Sequence, residues 1–118
     1  MFMRKFFRSF HYAIEGIRFA MKERNMRIHV TCAVLVTIAG LCSQLSAAEW
    51  LVLILTMALV IALEMVNTAI ETVVNLVSPE YHALAKAAKD VAAGAVLISA
   101  IASIFIGLII FLPKWFLM

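Results

Sequence analysis

Apolar and polar positions change their period along this chain, and the changes mark its elements. From Met1 to about Arg27, Phe6, Phe7, Phe10, Ile14, Ile17 and Met21 recur at spacings of three and four, with basic residues on the other faces. That spacing predicts an amphipathic helix over about 5–25, lying in a membrane interface rather than crossing it. An apolar run over about 28–45 follows, with about 18 residues, the lower end of what spans a bilayer. Ser43 to Glu49 reads as a short polar turn. A second helix is expected from Ala47 to Val77, stopping before Pro79, whose ring cannot continue it. Its 31 residues would extend about 46 Å against a hydrocarbon core of about 30 Å. The span is therefore assigned to about 50–77, with its C-terminal part tilting or projecting from the membrane. Ser78 to about Lys89 reads as a polar loop, and Val91 to Leu112 as a third span with no charge in 22 residues. Pro113, Lys114 and Trp115 close it with an interfacial anchor. The pattern predicts one all-α integral membrane domain over 1–118, a surface helix followed by three transmembrane helices.

Composition strengthens this picture. Hydrophobic residues make up 65% of the 118 and charged residues 14%, against about 45–50% and about 25% in soluble domains. A water-soluble fold of this length could not hide so much apolar surface. Seven of the ten Lys and Arg residues fall in the first 27 positions, Lys86 and Lys89 lie in the second loop, and only Lys114 follows. The positive-inside rule then places the N-terminus and second loop in the cytoplasm and the C-terminus outside. Beside membrane spans, the basic cluster is expected to set topology and touch anionic headgroups, with no nucleic-acid partner. Cys32 and Cys42 are ten residues apart, about 15 Å of helix rise, too far for a disulfide. No cleavable signal is expected, and neither a Walker loop nor GxGxxG occurs.

The chemistry concentrates in EMVNTAIETVVNLV, Glu64 to Val77. At 100° per residue, Glu64, Asn67, Thr68, Glu71 and Asn75 fall within an arc of about 100° on an otherwise apolar helix. A hydrogen-bonding stripe for helix association explains the amides and the threonine. It explains the two acids badly, since a carboxylate at membrane depth costs about 3 kcal/mol and no Lys or Arg is local. Glu64, the deeper, suits a general base for a hydroxyl presented from the bilayer. Glu71, about two turns nearer the cytoplasm, suits a Mg²⁺-bound phosphate. Lys86, Lys89 and Asp90 gather where the third span begins, with small residues after them that permit close helix approach. Lys89 can bind phosphate as a point charge, while Asp90 could equally be a helix cap. His29 and His82 have no partner at metal-ligand spacing and read as interfacial. A non-catalytic oligomer that uses the stripe for packing is the alternative outside enzymes, and it would tolerate Glu64→Gln.

ERNMRIH at Glu23–His29, EMVNTAIE at Glu64–Glu71 and PEYHALAKAAKDVAAGAV at Pro79–Val96 together resemble the prokaryotic diacylglycerol kinase family, most of all its Gram-positive branch of undecaprenol kinases. The likeness runs in order over nearly the whole chain. It implies a homotrimer in the bacterial cytoplasmic membrane, with active sites shared between subunits at the cytoplasmic interface. It implies transfer of the ATP γ-phosphate to a membrane lipid alcohol with Mg²⁺, undecaprenol first and diacylglycerol as the alternative. Position by position, Glu64 matches the catalytic base and Asn67 its neighbour, while Glu23 and Glu71 match metal-binding carboxylates. Lys89 and Asp90 match nucleotide contacts, as do Lys5, Arg8, Tyr12 and Gly16 of the surface helix. Two departures stand out: the stretch Gly16–Glu23 is one residue shorter than usual, and Asn75 stands where an acid is usual.

Overall fold

Residues 1–117 are described by the computed structural model. They form α1 (Phe2–Ala20), α2 (Arg24–Leu41), α3 (Ala47–Val77) and α4 (Ala83–Phe116). The short connections leave antiparallel packing as the available arrangement, and α3 with α4 is the dominant pair, followed by α2 with α3. The chain is accordingly flat and long, about 55 × 45 × 20 Å.

In α1, edge contacts between Phe6 and both Phe7 and Phe10, at 5.9 and 5.0 Å, build one aromatic face. Lys5, Arg8, Tyr12 and Gly16 share an arc of about 80° on the other side. The helix ends earlier than its periodicity suggests. Met21–Glu23 form a turn, with the Glu23 amide donating to the Ala20 carbonyl at 3.0 Å, and α2 opens at Arg24. Lys22, Glu23 and Arg24 are ordinary helix formers, so local propensity gives no sign of this corner. Tertiary burial fixes it: Ala20 and Met26 are 2% and 1% exposed.

The second turn is shorter than the polar stretch around it. Ser46 caps α3 through a capping box, its hydroxyl accepting from the Glu49 amide at 3.2 Å and its own amide donating to Glu49 Oε1 at 2.9 Å. Glu49 thus belongs to the first turn of α3 and not to the loop. Gln44 supplies the reversal with φ 52°, a left-handed backbone. At the other end α3 stops at Val77, two residues before Pro79. The loop expected to reach Lys89 ends at His82, whose Nδ1 accepts from the Leu84 amide at 3.1 Å and caps α4. The alanine-rich stretch behind it favours helix, which carries Lys86, Lys89 and Asp90 onto the opening turns of α4. Asp90 is therefore not a cap. Pro113 does not end the helix either: α4 runs on to Phe116, and the Leu117 amide closes the last turn on the Pro113 carbonyl at 3.2 Å.

α3 and α4 are each long and apolar enough to cross a membrane, yet only 28% and 22% of their most apolar stretches are buried within the chain. Helices in the core of a soluble protein would hide that surface, so these two are membrane helices. Expected as a further span, α2 does not meet the same measure among the described residues, because Arg24, Asn25, Arg27 and His29 occupy its first six positions. At the end of the bundle near Cys42, Leu53, Ile110 and Phe111 form the apolar core, flanked by Trp50, Met57 and Ile106. The same end is tied by Lys114 Nζ to Glu49 Oε1 at 3.1 Å, and by Trp115 Nε1 donating to Ser43 Oγ at 2.9 Å.

Gly40 lets α2 seat against this end, since a Cβ there would stand 2.8 Å from Trp50 Cη2 and 3.1 Å from Leu45 Cδ1. Gly40→Val should therefore lower stability by about 1–3 kcal/mol, read as an earlier thermal transition in detergent micelles. An unchanged transition would mean that the indole moves aside freely.

Candidate active site

The polar stripe of α3 runs from the interior outward. Glu64, Asn67 and Thr68 are 3%, 6% and 6% exposed, Glu71 is half-buried, and Asn75 is exposed. The Thr68 hydroxyl donates to the Glu64 carbonyl at 3.1 Å, as Thr72 does to Thr68 at 2.8 Å. These hydroxyls are thus satisfied by their own helix. Asn67 Nδ2 donates to Glu71 Oε1 at 3.0 Å, one turn along, which links two of the expected site residues directly. Asn67 Oδ1 is buried and has no hydrogen-bond partner among the described residues. A buried carbonyl oxygen without a donor costs about 1–3 kcal/mol, so this atom is an acceptor awaiting a ligand, a water or a neighbouring chain.

Glu64 has no Lys or Arg partner among the described residues. His29 of α2 stands beside it, with Nε2 3.7 Å from Glu64 Oε2, and the two form an ion pair when the imidazole is protonated. Glu23, at the α1–α2 corner, and Glu71 both lie near enough for their charges to act on Glu64. The fold therefore brings Glu23, exposed at the head of α2, within electrostatic reach of Glu64, which shares α3 with Glu71 two turns along. They do not form a ready-made metal cage, because no group of three or more His, Cys, Asp or Glu side chains has metal-holding geometry among the described residues. Hard Mg²⁺ needs only one or two carboxylates when phosphate oxygens and water complete its shell, and the donor set fits that mode.

Of the remaining expected residues, Lys89 lines a recess of about 320 Å³ with Lys86 and with Asn75 at the outer end of the stripe. Lys86 Nζ meets Asp90 at 2.6 Å in an exposed i,i+4 pair on α4. Lys89 is half-buried and makes no ion pair among the described residues. Lys5, Arg8 and Tyr12 are exposed on α1 and have no side-chain ion pair among the described residues. Within one chain Glu23 and Glu71 act electrostatically on Glu64 and Lys89 shares a recess with Asn75, while no ion pair joins Lys5 or Arg8 to these acids among the described residues.

Two recesses lie along α3, one on the stripe and one beyond its inner end. One, of about 510 Å³, lies between α3 and α4, with Asn67 beside Leu63, Ile70, Ala88 and Ala92. The small α4 side chains make this hollow. The other, of about 250 Å³, runs among α2, α3 and α4 from His29 past Cys32, Val60 and Ser103 to Gly107. Sequence reasoning missed His29 as part of this site. It lies 35 residues from Glu64, outside any helical periodicity, and only matching its depth in α2 to that of Glu64 could have paired them.

Comparison with known proteins adds to the geometry. A profile of the prokaryotic diacylglycerol kinase family matches residues 11–111. The chain is 47% identical over 113 residues to an undecaprenol kinase of Bacillus subtilis, covering 95% of this chain and 92% of that protein. It is 49% identical over 107 residues to a diacylglycerol kinase of Synechocystis, covering 89% of this chain but 61% of that protein. A diacylglycerol kinase of Escherichia coli K12 is 33% identical over 94 residues, 79% of this chain and 77% of its own length.

Proposed function

The chain belongs to the prokaryotic diacylglycerol kinase family and is a lipid kinase, and from that premise we propose that it transfers the ATP γ-phosphate to undecaprenol, yielding undecaprenyl phosphate. The carrying observation is a carboxylate 3% exposed in a membrane helix, with no basic side chain but His29 beside it among the described residues. Packing gives no reason to retain such a group. Glu64 removes the hydroxyl proton while the alcohol oxygen attacks the γ-phosphorus, and Asn67 orients the reacting groups beside it. The recess that begins at His29 offers an apolar path for the hydrocarbon tail of that alcohol. Undecaprenol is preferred on the likeness to the Bacillus protein across almost all of both chains, and diacylglycerol is the second reading, supported by the Synechocystis and Escherichia coli relatives.

Glu71 and Glu23 would hold Mg²⁺ together with the phosphates. When bound, the ion neutralises charge on the β- and γ-phosphate oxygens. Glu71 suits this because Asn67 engages Oε1 and turns the carboxylate, while Oε2 has no protein partner among the described residues. Lys89 would meet phosphate and Asp90 the nucleotide. The α1 face carrying Lys5, Arg8, Tyr12 and Gly16 would cover the nucleotide of a site shared with another subunit. A homotrimer is consistent with this division, since that face is unpartnered in one chain and most of the apolar surface of α3 and α4 is exposed. In the proposed topology the single domain crosses the bacterial cytoplasmic membrane three times, α2 providing the first crossing. Its N-terminus and the Ser78–His82 turn face the cytoplasm.

Purified protein with labelled ATP should phosphorylate undecaprenol faster than diacylglycerol in matched micelles, and Glu64→Gln should lower transfer by about 10²-fold or more without loss of ATP binding. Activity of the variant within about threefold of wild type would remove Glu64 as the base.

Glu71→Gln and Glu23→Gln should each raise the Mg²⁺ concentration for half-maximal rate, Glu71 by more, with the affinity for the lipid nearly unchanged. Titrations that superimpose on wild type would return both acids to a structural role.

In a background lacking Cys32 and Cys42, a cysteine at Ala47 should label only from outside and one at Ala83 only from the cytoplasm. The reverse pattern would put the nucleotide on the wrong side for this topology.

A further inference from the structure

Each transfer takes a proton from the acceptor hydroxyl, and that proton must leave before the base can act again. Glu64 is poorly placed to release it, with a side chain 4% exposed. His29 Nε2 is 3.7 Å from Glu64 Oε2 and the imidazole side chain is 20% exposed, so the ring touches both the buried acid and the outside. Arg24 and Arg27, exposed within the turn and a half before it, put the ring at headgroup depth, where water reaches. The other charges near the pair are carboxylates, Glu71 on α3 and Glu23 at the head of α2. The α4 residues across the adjoining recess, Ala100, Ser103, Ile104 and Gly107, carry none. An imidazole ring has two nitrogens and can accept a proton at one while releasing one at the other.

We propose that His29 is the positioning and proton-relay partner of Glu64. This role rests on the lipid-kinase reading of the site and deepens it. As the alcohol oxygen bonds to the γ-phosphorus, the bond from that phosphorus to the β–γ bridging oxygen breaks and ADP leaves with the electron pair. The hydroxyl proton moves to Glu64 and then to Nε2 of the neutral ring. The imidazolium so formed gives its Nδ1 proton to water, and exchange through water restores the starting tautomer. The net reaction is alcohol plus ATP to phosphorylated alcohol, ADP and one released proton. Glu64 is the catalytic group, and His29 acts through it.

The test compares wild type, His29→Gln and His29→Ala, with undecaprenol and with diacylglycerol as acceptors. Glutamine keeps a donor of similar reach but cannot pass a proton on, so it should lower kcat by at least about tenfold, with KM for ATP and lipid within about twofold. Added imidazole should raise the kcat of His29→Ala in a concentration-dependent way and leave wild type unchanged. A His29→Gln enzyme with kcat within about twofold of wild type overturns the relay, as does a folded His29→Ala enzyme indifferent to imidazole. If His29→Ala does not fold, the His29→Gln result alone decides. Wild type that phosphorylates neither lipid would instead overturn the proposed function, so the two failures are distinct.

Discussion

Removing a carboxylate from water into a helix pair is costly unless something compensates the charge, and Glu64 is placed under that constraint with no Lys or Arg paired to it among the described residues. The surrounding architecture is organised by how that cost is met. The sharp corner between α1 and α2, locked by buried Ala20 and Met26, starts α2 where its sixth residue, His29, reaches Glu64. That start brings His29 alongside the acid and leaves Glu23 at the head of the helix. Across the pair, alanines on α4 leave room beside Asn67 that leucines would fill. A site with an unpartnered buried carbonyl and a buried acid gains most from a ligand that brings a cation and hydroxyl groups, which is what a phosphoryl-transfer complex provides.

The exterior obeys a different rule. With most of α3 and α4 exposed and apolar, the backbone has to satisfy itself, so the chain uses long helices and turns of three to five residues. The buried core is correspondingly small, centred on Leu53, Ile110 and Phe111. Stability in such a molecule comes from the bilayer and from contacts between helices, with little from a hidden interior.

The helical class, the long helix from Ala47 to Val77 and its polar stripe could be read from the sequence, because period, length and an acid in an apolar run are local signals. The Glu64–Glu71 segment was legible for the same reason: both acids ride on one helix with fixed angular spacing. What escaped were features set by contacts distant in sequence. Nothing local breaks the helix at Met21–Glu23, where packing of Met26 decides. Polarity suggested a loop through Lys89, yet alanine propensity and the His82 cap carried the helix back to Ala83. His29 beside Glu64 joins two helices whose relative depth a single sequence does not encode.

The Lys114–Glu49 and Trp115–Ser43 ties hold one end of the α3–α4 pair, and the Ser78–His82 turn joins the two helices covalently at the other. Mechanically the pair is thus a closed frame. Neither end can splay, so relative movement of the two helices is confined to bowing in the middle, where alanines of α4 face Asn67. The recess beside the buried amide is therefore the part of the frame with room to yield.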